Sequence, residues 1–114
     1  MTQEDKQLLL VDLCSRLLYG VKVITTVGGE IRNDKEQLNF AQLSLFEAGY
    51  EDVKPYLFPM SSITREQEIA ICAIQDMGLS YYHLIIDHYN EWHLDYRGLI
   101  GKGLAIDCTN LNIY

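Results

Sequence analysis

Most of the side chains able to do chemistry fall late in the chain, where His83, His88 and His93 recur every five residues. Five residues turn an α-helix by about 140°, which scatters the three imidazoles around it and implies no shared metal. His83, Asp87 and Glu91 are spaced by four and line one face, a set able to ligate a divalent ion. A solvated polar helix face has the same pattern. The histidines are also candidate general bases, but no partner nucleophile accompanies them. They define one alternative, a small metal-dependent or histidine-based hydrolase. No residue is assigned a catalytic role, and no cofactor is expected.

Gly98-Leu99-Ile100-Gly101-Lys102-Gly103 has the look of a phosphate-binding loop. A P-loop needs Ser or Thr after its lysine and a strand before it, whereas Lys102 is followed by Gly103. A GXXG loop that clamps a nucleic-acid backbone would present Leu99 and Ile100 to it, which are the wrong groups. Just upstream, Asp95 and Arg97 are able to pair with each other, or Arg97 to grip a partner's carboxylate in bidentate fashion. Asp95 as a helix N-cap, Tyr96 packed on the core and Arg97 tying down the turn explain the run without a ligand. A short helix from Tyr96 to Lys102, anchored by Leu99 and Ile100 and closed by Gly103, follows from that reading.

Aromatics are dense in the same region, with Tyr81, Tyr82, Tyr89, Trp92 and Tyr96 inside sixteen residues. Amphipathic rings are enriched at protein interfaces. Tyr82 and Tyr89 project about two turns apart on one side of a helix, where they are able to anchor a partner or a second copy of the chain. The expected interaction surface is Tyr82, Tyr89, Asp95, Tyr96 and Arg97.

Thr2 and Asp5 cap a first helix over Lys6 to Leu18, with Leu10, Leu13, Cys14 and Leu17 on its core face and Asp5, Lys6, Asp12 and Arg16 largely elsewhere. Val21 to Thr26 is a β-branched strand, and Gly28-Gly29 is a turn into a returning strand at Glu30 to Arg32. Asn33 to Gln37 reads as a loop, and Leu38 to Leu45 as a bulged strand or short helix, with the strand preferred. Glu51 to Pro59 is extended, because its two prolines forbid a long helix. Thr64 and Gln67 form a capping box for a helix from Arg65 to Met77, with Ile69, Ala70, Ala73, Ile74 and Met77 towards the core and Gly78 as its stop. A further helix runs to about His93 from a Ser80 N-cap stapled by Leu79 and Leu84. The tail after Asp107 is extended or a final short strand.

Three strings, DLCSRLLYGVKV, VKPYLFPMSSIT and HLDYRGLIGKGLAI, cover about a third of the chain. They resemble segments of small proteins encoded in phages, prophages and other mobile elements of Bacteroides-type bacteria. The resemblance implies a genomic setting and transfers no catalytic residue.

The 114 residues suffice for one domain spanning 1–114, and 48% hydrophobic with 22% charged is the balance of an ordinary globular chain. The net charge of −7 is spread along the chain, which argues against gripping phosphate backbones. A nucleic-acid-associated protein survives only if folding gathers Lys22, Arg32, Lys35 and Lys54 into one patch. No signal segment or membrane span is evident, so the cytoplasm is the expected location. Cys14, Cys72 and Cys108 are isolated and odd in number, so buried free thiols are the expectation. The expected architecture is α+β: an N-terminal helix, a two- or three-stranded antiparallel sheet and a helical C-terminal half. The leading functional expectation is a phage or mobile-element accessory protein acting by protein–protein interaction.

Overall fold

Thr2 accepts a hydrogen bond from the Asp5 N–H at 3.0 Å and starts helix α1 (Gln3–Arg16), which runs on into a 3-10 turn at Leu17–Tyr19. The computed structural model describes all 114 residues. Strand β1 (Lys22–Val27) follows, and Gly28 and Gly29, both with positive φ (58° and 84°), turn it back into β2 (Glu30–Gln37). Two successive positive φ angles define the tight hairpin turn that matches strand twist, and glycine adopts them without strain.

The segment Asn33 to Gln37 is part of β2 and not a loop. Its register with β1 slips twice, and Lys35 (φ 58°) is the unpaired residue of one slip, between the pairs Ile24–Asp34 and Val23–Glu36. The bulges and the charged residues erase the alternation that marks a strand, as suits an edge strand that must not recruit another chain.

Leu38 to Leu45 is also corrected: residues Phe40–Glu47 form helix α2. Asn39 accepts from the Gln42 N–H at 2.8 Å while Gln42 Oε1 accepts from the Asn39 N–H at 3.0 Å, a reciprocal cap that decides for helix. Strand β3 (Asp52–Leu57), helix α3 (Arg65–Met77), helix α4 (Tyr82–Glu91) and the two-residue strand β4 (Ile106–Asp107) complete the chain. Thr64 and Gln67 make the expected capping box on α3. The Ser80 cap does not form. A 3-10 turn at Leu79–Tyr81 leads into α4 with Tyr81 at its N-cap, and Leu79 is 90% exposed, so it staples nothing.

The fold is α+β, with an N-terminal helix and a largely helical second half. Its sheet has four strands in the order β2-β1-β3-β4, one or two more than expected. β1 runs antiparallel to both neighbours, while β4 lies parallel to β3 through Tyr56–Ile106 and Leu57–Asp107, so the sheet is mixed. A two-residue strand carries no periodicity of its own and exists only because β3 offers it an edge.

Two apolar clusters hold the molecule. The larger joins Leu9 and Leu13 of α1, Val21 and Val23, Leu43 and Phe46 of α2, Val53 and Leu57 of β3, and Leu99, Leu104 and Ala105 from the glycine-containing segment. Burying each large aliphatic or phenyl group contributes about 1.5–3 kcal/mol. The smaller consists of Ile71, Ile74 and Ile85, with Ile63, Leu84, Tyr89 and Trp92 packed around them. Ile69, Ala73 and Met77, expected on the core side of α3, are exposed. The run IAICAI is apolar all round, and contact with α4 selects the Ile71 and Ile74 side. The molecule is elongated, 47 × 29 × 23 Å. No helix is long and apolar enough to cross a membrane.

Candidate functional site

Between the two clusters lies a polar joint built from α1, α4 and the segment after it. Asp12 and Arg16, expected outside the core face of α1, are fully buried, and Cys14, expected inside, is exposed, as is Cys72 on the outer side of α3, so that Cys108 alone of the three thiols is buried. Arg16 Nε donates to Asp12 Oδ2 at 2.8 Å, and its Nη2 donates to the Leu94 carbonyl at 2.7 Å. Arg97 Nε stands 3.3 Å from Asp12 Oδ1, at ion-pair distance without hydrogen-bond alignment. Burial pushes the Asp12 carboxyl above its ordinary range, against the pull of Arg16 and Arg97.

The Asp95-Tyr96-Arg97 run completes the joint. Asp95 Oδ1 accepts from the Leu99 N–H at 2.8 Å and Oδ2 from the Ile100 N–H at 2.9 Å. These donors lie four and five residues on, beyond the reach of an N-cap, so residues 96–102 form turns and not the expected helix. Arg97 Nη2 donates to the Tyr96 hydroxyl at 3.1 Å and to Ser15 Oγ at 3.3 Å, and the Tyr96 hydroxyl donates to Asn90 Oδ1 at 2.9 Å. The Tyr96 ring centre lies 5.1 Å from the Arg16 guanidinium and 4.9 Å from that of Arg97, within cation–π range. None of these side chains lines a surface cavity. The arrangement ties α1 to α4 and offers a ligand no opening.

Sequence reasoning missed Asp12 and Arg16. Their signal was present: Leu9, Asp12, Leu13 and Arg16 fall on one helical stripe, with opposite charges four apart.

Of the residues expected on an interaction surface, Tyr82 alone is exposed. Tyr89 packs on the smaller cluster, its ring 5.6 Å from that of Tyr96, and burial raises its pKa. The exposed apolar groups near Tyr82 are Met77, Leu79 and Tyr81, all at the junction of α3 and α4.

The histidines diverge, as their spacing requires. His83 is exposed, and His88 stacks on Trp92 with 4.9 Å between ring centres while its Nδ1 lies 3.6 Å from Glu91. His93 stacks on Tyr114 with 3.8 Å between centres. Burial, with Arg16 and Lys22 nearby, lowers the pKa of His93 to about 4. Asp87 is exposed with His83, and no three histidine, cysteine or carboxylate side chains gather as a metal site.

The basic residues are likewise interleaved with acids. Lys54 and Asp34 flank Ile24 in one row across the sheet, Lys35 pairs with Asp34 at 3.2 Å, and Lys22 Nζ donates to the Ile113 carbonyl. Arg32 is exposed on β2. Compared with family models, curated proteins and solved structures, the chain matches none.

Proposed function

We propose that the protein works by binding another protein and not by catalysis, as a cytoplasmic accessory protein of a phage or mobile element. The observation that carries the binding reading is the apolar cap at the junction of α3 and α4. There Met77, Leu79, Tyr81 and Tyr82 are 54%, 90%, 41% and 54% exposed, beside a cluster with only three buried members. Large apolar and aromatic groups left together on a surface mark an interaction site more often than they serve the fold. The genomic setting rests on the resemblance of the three strings. With a net charge of −7, the protein fits a target with a basic surface, such as a host defence or regulatory factor.

The test is affinity capture from host lysate with wild type and with a Leu79→Ala/Tyr82→Ala variant. Both positions are exposed, so the variant folds. A protein retained by wild type and lost with the variant supports the reading, and identical captures defeat it.

A further inference from the structure

A second surface of the same helical pair has a different character. Arg65, Ile69, Cys72 and Asp76 follow one another at spacings of four, three and four along α3, which places them on one stripe. All four are exposed, Ile69 by 59%, and together with Glu68 and Ala73 they line an open depression of about 400 Å³. Two small side chains, Cys72 and Ala73, lie near its middle and permit close approach of another helix.

We propose that this stripe pairs antiparallel with the α3 of a second copy of the chain, about a two-fold axis midway along the helix. A two-fold interface is self-complementary: each residue meets the one equally far on the other side of the axis. With the axis between residues 70 and 71, Arg65 meets the partner's Asp76, and Asp76 meets the partner's Arg65. Ile69 packs against the partner's Cys72, and on the two flanks Glu68 lies nearest the partner's Gln75 and Glu66 nearest the partner's Ala73, so no like charges oppose directly. The opposite charges at equal distances from an apolar middle make a second copy the occupant that fits. One helix of 13 residues offers an interface at the small end of the specific range, so the dimer is weak and concentration-dependent.

The pairing draws on the α3 stripe and not on Leu79 or Tyr82, so it stands or falls apart from the foreign-partner reading. The test is sedimentation velocity of the full chain up to roughly millimolar protein, on wild type, Arg65→Asp, Asp76→Arg and the double exchange. Wild type is expected to dimerise, each single reversal to weaken dimerisation at least about tenfold, and the double exchange to restore it. Monomeric wild type across the range, or no rescue by the double exchange, overturns the proposal. A short bismaleimide on a Cys14→Ser variant supplies a readout that needs no charge variant to fold. Dimer cross-linked through Cys72 supports the pairing, and its absence overturns it. A dimer lost on Leu79→Ala/Tyr82→Ala but indifferent to Arg65→Asp also overturns it, by moving self-association to the aromatic cap.

Discussion

Arg16 and Asp12 form an ion pair, 2.8 Å from Nε to Oδ2, in which neither side chain keeps any exposed surface. The Nη2 of the Arg16 guanidinium donates across to the Leu94 carbonyl, so one side chain of α1 holds the start of the segment that carries Asp95, Tyr96 and Arg97. The larger and smaller apolar clusters are thus joined by charge and hydrogen bonds.

Breaking that pair leaves the buried Asp12 carboxylate with Arg97 alone, which is not aligned to hydrogen-bond it. Arg16→Met is expected to cost about 3–5 kcal/mol of unfolding free energy in urea melts. The double variant Asp12→Leu/Arg16→Met removes both charges and should recover much of that loss. A double variant as unstable as the sum of the singles would show that the pair is not the unit of stability.

Asp95 tests the turn that replaces the expected helix. Asp95→Ala strands the buried Leu99 N–H and should destabilise by about 1–3 kcal/mol. Asp95→Asn keeps one acceptor oxygen and should fall between that variant and wild type. Equal melts for Asn and Ala would mean that the carboxylate's two bonds add nothing separable.

His93 sets a pH dependence whose sign follows from its depressed pKa. Below the unfolded value of about 6.5 the unfolded chain takes up a proton that the native one refuses until about 4. Stability from this group is therefore present above pH 6.5 and lost as the pH falls towards 4. A His93→Asn variant, which suits the positive φ of 58° at this position, should lose that part of the slope between the two values. A His93 imidazole, assigned by NMR, that titrates near 6.5 in the folded protein would refute the assignment.

The two capping boxes should differ in weight. Asn39→Ala and Thr64→Ala each remove a side-chain acceptor and are expected to cost about 0.5–2 kcal/mol. Asn39→Ala should be the larger, because its partner Gln42 is buried and α2 carries Leu43 and Phe46 into the larger core. Thermal melts of the two variants decide the order.

The signals legible in the residues alone are local. Thr2 with Asp5, Thr64 with Gln67, the Gly28-Gly29 turn and the stop at Gly78 act over four residues or fewer, and all four are found in the structure. The β-branched run at Val21 to Thr26 and the proline-marked segment before Pro59 likewise became β1 and β3. Tertiary contact decided the rest. Asp12 and Arg16 look like a solvent face until Leu94 and Arg97 arrive from about eighty residues away to meet them. The apolar run on α3 shows no preferred side until α4 covers Ile71 and Ile74 and leaves Ile69 and Met77 bare. Tyr82 and Tyr89 share a side of one helix, yet only Tyr89 is covered by the smaller cluster. Burial is a property of what lies opposite a residue, and a sequence records only what lies beside it.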